Sequence, residues 1–303
     1  MCTNVDIRGR KMNLITMPPT IGAIETSEND WLRSNFVSEL IQQKSEHKIV
    51  GCDKTPIPKV IVQFWDKADA LPPDVRKCIN TWKEREVEGF QHLLFDEIGA
   101  IEFIFTELGS EYVDAFNACY HPAMKSDYFR LCYIYVHGGM YVDVDDVDCQ
   151  QDINSLFSDD RLKLQPLCYD IDSDSMIEPK QFTQKNAFSD KWIYYFNNNP
   201  IISAPENPIV GYALNRATNR LRQSDGAFPE IQSTTGPGNL TASVVAFLFD
   251  NKSFPISNYI SIQPNWNAIA STVWQLSYRN DKRNWRLANG MSSNKATKDK
   301  ELS

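Results

Sequence analysis

Asp143, Asp145, Asp146 and Asp148 crowd four carboxylates into six residues directly after the apolar run Met140-Tyr141-Val142. Carboxylates this close repel one another, so an apolar lead-in implies a bound cation or basic groups that offset the repulsion. Asp143-Val144-Asp145 has the D-x-D form that can hold Mg²⁺ or Mn²⁺, which prefer oxygen ligands, keep several waters and complete their shell with substrate phosphates. A solvated acidic turn is the other reading of such a string. Upstream, Asp127 and Arg130 share a stripe with Ala123 and Ile134 on an otherwise strongly apolar segment. As a surface i, i+3 ion pair they would contribute only roughly 0.2–0.5 kcal/mol. Pointing into a pocket, they would hydrogen-bond a polyhydroxyl ligand.

The elements that must position these groups are legible from periodicity. Met124, Tyr128, Leu131 and Tyr135 recur at helical spacing, which predicts a helix from Pro122 to about His137, stopped by Gly138-Gly139. Met140, Val142 and Val144 then alternate with Tyr141, Asp143 and Asp145, which predicts an extended strand with both aspartates on one side. The β-branched run from Ile57 to Trp65 suits a central strand of a buried parallel sheet. Pro72-Pro73-Asp74 opens a helix with Val75, Cys78, Ile79 and Trp82 on one side; His92 to Asp96 reads as the next strand, and residues 97–117 as helical. Such alternation implies a mostly parallel sheet, with Trp65, Asp96, Asp143 and Asp145 along the edge where open α/β sheets bind ligands.

Ser126-Asp127-x-x-Arg130 followed by Gly138-Gly139-Met140-Tyr141-Val142-Asp143-Val144-Asp145 resembles the S-D-x-x-R…G-G-x-Y-x-D-x-D signature of the D-x-D sugar-binding glycosyltransferases. This is glycosyltransferase family 32, which takes in yeast mannosyltransferases and bacterial capsule and lipopolysaccharide transferases, with the clostridial glucosylating toxins as distant relatives. Ile57-Pro58-Lys59-Val60-Ile61-Val62-Gln63-Phe64-Trp65 is similar to the family's opening I-P-K-x-I-H-Q-x-W, with Val62 where the histidine usually stands. Thr234-Thr235-Gly236-Pro237 resembles its T-G-P loop, although Gly-Pro-Gly is equally an ordinary turn before a capped helix. Asn267…Ser271…Trp274 loosely matches an H-x-x-x-S-W-like segment, with asparagine for histidine.

The resemblance spans residues 56–250 and implies a GT-A-type nucleotide-sugar fold, α/β with a mostly parallel central sheet flanked by helices. It also implies metal-dependent transfer of a hexose, with retention and an α-linkage, from a UDP- or GDP-linked donor to a glycan or glycolipid acceptor in surface polysaccharide synthesis. Asp145 is then the more direct metal ligand, with Asp143 and Asn267 beside it, and Asp127, Arg130 and Asp143 grip ribose and sugar. Gln63, Trp65, Gly139, Tyr141, Thr235, Gly236 and Pro237 complete the nucleotide and sugar site. Trp65 is expected against the base; core packing is its other reading. A metal-dependent hydrolase using the same carboxylates, or an inactive nucleotide-sugar or Ca²⁺-binding module, are the alternatives.

Composition narrows the field. A chain of 303 residues, 42% hydrophobic and 23% charged, fits a globular enzyme, expected as a helical extension over 1–55, a catalytic domain over 56–290 and a disordered tail over 291–303. In the extension, Asn29 to about Glu46 reads as an amphipathic helix docking through Trp31, Phe36, Leu40 and Ile41. A net charge of −8 argues against nucleic acid as a partner. No apolar stretch reaches the ~18–20 residues of a membrane span, so the expected location is cytoplasmic, at most peripheral to the inner face of a membrane. Seven cysteines without C-x-x-C spacing read as reduced thiols, and four histidines without H-x-x-x-H spacing disfavour a zinc hydrolase. A second acidic string, Asp170-Ile171-Asp172-Ser173-Asp174, lacks the glycine and glutamate of an EF-hand and reads as a solvated loop.

Overall fold

The computed structural model describes residues 18–42, 56–224, 228–253, 255–280 and 283–284. In chain order its strands are β1 (Val60–Phe64), β2 (Gln91–Phe95), β3 (Gly139–Tyr141), β4 (Asp146–Asp148), β5 (Leu162–Leu164), β6 (Pro166–Asp170), β7 (Ser175–Met176), β8 (Trp192–Phe196), β9 (Ile201–Ser203), β10 (Ile260–Ile262) and β11 (Ala270–Thr272). The helices are α1 (Ile21–Glu28), α2 (Asp30–Gln42), α3 (Pro73–Lys83), α4 (Glu97–Glu107), α5 (Ser110–Ala118), α6 (Pro122–His137), α7 (Pro179–Phe182), α8 (Pro208–Arg222), α9 (Ile231–Thr234), α10 (Pro237–Asp250) and α11 (Trp266–Ile269).

The main sheet runs β10-β5-β9-β3-β1-β2. Every pairing in it is parallel except those of β9, which lies antiparallel between β3 and β5. It is therefore a parallel-dominated α/β sheet, as the strand and helix alternation predicts. Alternating side chains divide its two faces. Val62, Phe64, Tyr141 and Ile201 meet the layer of α6, α8 and α10, while Ile61, Met140 and Ile202 meet Trp82, Phe157 and Trp266 on the other side.

The helix predicted over 122–137 is α6, with His121 accepting from Ala123 N at its start and Gly138 at its end. Nearly every residue of its middle is buried, so it threads the core rather than lying on it. Gly139 sits at φ +107°, and a Cβ there would lie 2.8 Å from Val60 O. Only glycine lets β3 close on β1 at this point. The 97–117 stretch divides into α4 and α5 at Gly109, whose φ of +98° breaks the helix.

Two expectations need correction. The helix predicted from Asn29 to about Glu46 is α2, described as far as Gln42 and capped by the Asn29 side chain at Trp31 N and Leu32 N, and a separate helix, α1, which the sequence pattern does not predict, precedes it. Leu40 is buried and Phe36 and Ile41 pack on the core, but Trp31 is 43% exposed and does not dock. The strand predicted through Asp145 stops at Tyr141, because β9 and β1 pair only with residues 139–141. Asp143 lies in the loop beyond it, and the chain reverses through Val144-Asp145 before β4 pairs with β11. The predicted tail, the N-terminal residues outside 18–42, and Cys2, Cys52 and His47 lie outside the described residues.

Candidate functional site

The acidic loop leaves β3 at the same end of the sheet as Trp65, which follows β1, and Asp96, which follows β2 and caps α4 through Gly99 N at 2.8 Å. Each of its carboxylates has a different partner. Asp143 Oδ1 accepts from Arg130 Nη2 at 2.8 Å. Asp145 Oδ2 accepts from Tyr278 Oη at 2.6 Å and from Arg279 Nη2. Asp146 takes Thr272 Oγ1 on one oxygen at 2.6 Å and Asn199 Nδ2 on the other at 2.8 Å. Asp148 is locked by Arg85 Nε at 2.5 Å and Nη2 at 2.8 Å, with both side chains buried. The repulsion inferred from the sequence is offset by three guanidinium groups.

The loop backbone is held as firmly. Gln63, fully buried on β1, donates from Nε2 to Asp143 O at 3.1 Å and meets His92 Nε2 through Oε1 at 2.9 Å. Asn199 Oδ1 accepts from Asp143 N at 3.0 Å, and Trp82 Nε1 donates to Asp146 O at 2.9 Å. Gln63 thus positions the loop from beneath.

Asp127 and Arg130, one turn apart on α6, form an ion pair at 3.1 Å. The pair is buried, unlike the surface pair considered from the sequence. Arg130 Nη1 donates to Asn198 O at 2.7 Å, its Nη2 also donates to Ser126 Oγ at 3.0 Å, and its guanidinium lies 4.4 Å from the ring centre of Tyr141. Tyr141 Oη in turn meets Ser126 Oγ at 2.7 Å, so the tyrosine floors the arginine. Asp127 accepts from Asn198 Nδ2 at 2.7 Å and from Thr235 Oγ1 at 3.4 Å. A Cβ on Gly236 would stand 3.3 Å from Asp127 Oδ2, so the Thr235-Gly236-Pro237 turn that starts α10 closes directly on this carboxylate.

Electrostatics follow burial. Burial raises the Asp127 carboxyl above the usual range against the pull of Arg130 and Asn198. Burial likewise raises Asp143, Arg130 draws it back, and Asp145 and Asp146 push it up again. Burial and then Asp145 move Asp146 to about 6. Arg130 is held above its ordinary value by Asp143, Tyr141 and Asp127 despite its burial.

Among the described residues no group of three or more His, Cys, Asp or Glu side chains converges as a cation cage. Asp143 Oδ2 and Asp145 Oδ1 take no part in the bonds above. Two carboxylates, with the shell completed by water and phosphate, are the donor set that Mn²⁺ or Mg²⁺ accepts beside a diphosphate. The residues therefore fit the cation expected from the sequence, with Asp146 and Asp148 fully committed elsewhere. Asn267 Oδ1 accepts from Gln165 Nε2 at 2.9 Å, and Gln165 Oε1 accepts from Asn197 Nδ2, which also donates to Asn199 O.

Trp65 is 5% exposed and lines a cavity of about 200 Å³ with Ala68, Leu71, Phe95, Asp96 and Gly99. Its Nε1 is buried without a hydrogen-bond partner. Tyr278 packs edge-on against it at 5.5 Å, and the Arg283 guanidinium lies 5.1 Å from its ring centre. Trp65 is thus a core ring that also lines this cavity.

Asn198, Asn199, Thr272, Tyr278 and Arg279 belong to the site and were not anticipated. A signal existed for two of them in the run Asn197-Asn198-Asn199-Pro200 ahead of the apolar β9, and the 199–200 peptide bond is cis. The others come from the last described part of the chain, where spacing alone gives no hint of the return to β4.

Residues 72–163 match the model of a protein family described as a glycosyltransferase sugar-binding region containing a DXD motif. That span holds Asp127, Arg130, Asp143 and Asp145, and the resemblance read from them is borne out. The chain is 23% identical over 202 residues to an uncharacterized glycosyltransferase of Acanthamoeba polyphaga mimivirus, covering 66% of this chain and 70% of that protein. Among solved structures, PaToxG glycosyltransferase superimposes with a TM-score of 0.45 at 16% identity, over 78% of this chain and 81% of that one.

Proposed function

We propose that the chain is a metal-dependent retaining glycosyltransferase that moves a hexose from a UDP- or GDP-linked donor to a glycan or glycolipid acceptor, with Mn²⁺ or Mg²⁺ held by Asp143 and Asp145. The observation that carries this reading is the buried chain of bonds from Asp127 through Arg130 to Asp143, beside Asp145 at the ligand end of the sheet. A surface ion pair would not be built into the core, whereas a site that must fix a sugar against a diphosphate gains from rigid, preorganised polar groups.

In this reading the base lies in the cavity against Trp65, whose buried Nε1 awaits an acceptor. Asp127 and Arg130 hold sugar hydroxyls, and Thr235 and Gly236 limit the room above Asp127. When bound, the cation supplies Lewis-acid stabilisation of the departing diphosphate, worth several kcal/mol. Retention follows from the resemblance, with the acceptor hydroxyl approaching from the side the diphosphate leaves. We place the activity in surface polysaccharide synthesis, in the cytoplasm or at the inner face of its membrane. The free cysteines Cys78, Cys119, Cys132, Cys149 and Cys168 fit a reducing compartment. Among the described residues no helix is long and apolar enough to cross a membrane.

The test is a panel of UDP-glucose, UDP-galactose, UDP-GlcNAc, UDP-GalNAc and GDP-mannose, each with Mn²⁺ or EDTA, scored for donor hydrolysis and transfer. Turnover of one nucleotide class, lost in EDTA and in Asp145→Ala, is expected. Full activity in EDTA or in Asp145→Ala refutes the metal role, and nucleotide binding without turnover marks a binding module instead.

A further inference from the structure

After β11 the chain crosses over the acidic loop and is tied down at three points. Thr272 bonds Asp146, Val273 N donates to Asp145 O at 2.8 Å, and Ser277 bonds both oxygens of Asp74 at 2.7 and 3.0 Å. These ties deliver Tyr278 and Arg279 to a single atom, Asp145 Oδ2. The Arg279 guanidinium lies 4.6 Å from the ring centre of Trp274 and 5.6 Å from that of Tyr278. Its Nε is buried with no hydrogen-bond partner. The guanidinium is thus supported by aromatic faces, while among the described residues the polar group it bonds is the Asp145 carboxylate. Trp274 is 58% exposed, which leaves this edge of the site open to solvent.

A guanidinium fork suits phosphate oxygens as well as it suits a carboxylate. We propose that Arg279 holds Asp145 in the ligand-free chain and exchanges it for the donor diphosphate when Asp145 takes up a divalent cation. The inference rests on the assignment of Asp143 and Asp145 as cation ligands. It gives one side chain two opposite effects, opposing the bare cation and favouring the cation together with a nucleoside diphosphate. Sliding over the two aromatic rings lets the guanidinium move while the backbone ties at 272, 273 and 277 stay in place.

Mn²⁺ binding, followed by the electron paramagnetic resonance of free Mn²⁺, and the binding of UDP and GDP in saturating Mn²⁺ separate these effects. Arg279→Gln, which keeps a hydrogen-bonding side chain of similar shape, and Arg279→Ala are compared with the wild type and with Asp145→Ala. Melting curves confirm that each is folded. Both Arg279 variants are expected to bind Mn²⁺ alone roughly threefold to tenfold more tightly, as for loss of a partly buried ion pair, and UDP or GDP in Mn²⁺ more weakly by a similar factor. Unchanged or weakened Mn²⁺ binding in Arg279→Gln, or unchanged nucleotide binding, overturns the inference. If Asp145→Ala abolishes Mn²⁺ binding while both Arg279 variants bind Mn²⁺ and nucleotide as the wild type does, the cation site stands and only the role of Arg279 falls. If neither the wild type nor any variant binds Mn²⁺, both fall.

Discussion

At the scale of single residues, the site is a set of carboxylates made unequal by their neighbours. Asp146 is the clearest case, since it is sealed between Thr272 and Asn199 and its carboxyl moves from the ordinary 3.8 to about 6. A carboxyl raised in the folded state binds its proton more tightly there than in the unfolded chain, so stability falls as pH rises from the unfolded value through the folded one. For Asp146 the window runs from 3.8 to about 6 and the loss is roughly 3 kcal/mol. Urea unfolding in EDTA, at intervals between pH 4 and 6.5, should therefore show Asp146→Asn gaining on the wild type as pH rises. The asparagine can keep its oxygen toward Asn199 and donate to Thr272 Oγ1, and any change this makes in stability is the same at every pH. Parallel pH profiles for the two proteins would show that folding leaves the Asp146 carboxyl at its ordinary value.

At the scale of elements, what periodicity could reveal was revealed. The core face of α3 and both ends of α6 come directly from the pattern of Val75, Cys78, Ile79 and Trp82 and from Pro122 and Gly138. Asp127, Arg130, Asp143 and Asp145 were legible because their residue types and spacing recur in a known signature. The extended strand through Asp145 was misjudged because alternation in sequence says nothing about whether a partner strand is present. Pairing ends at Tyr141, and beyond it Gln63 and Asn199 replace a ladder. The asparagine turn and the segment carrying Tyr278 and Arg279 were illegible because their roles depend on long-range return of the chain. Gly139 makes the elements' dependence testable, since its φ is +107° and an added Cβ would meet Val60 O at 2.8 Å. Gly139→Ala should cost about 1–3 kcal/mol in urea unfolding and weaken nucleotide binding with it, because β3 carries the acidic loop. A variant as stable as the wild type would mean that β3 can shift without disturbing its neighbours.

At the scale of the whole molecule, the site gathers residues from Gln63 to Arg279, so occupying it should stabilise most of the fold at once. A nucleotide at about 100 times its Kd, with Mn²⁺ present, should raise the unfolding free energy by about 2.7 kcal/mol in a single cooperative transition. An early transition unaffected by ligand would show that part of the described structure unfolds independently of the site. The same gathering bears on ion stoichiometry. Asp148 is consumed by Arg85 and Asp146 by an amide and a hydroxyl. In the proposed reading, a string that could be mistaken for a binuclear centre leaves oxygens for one cation only, and the second pair of aspartates serves as masonry for the first.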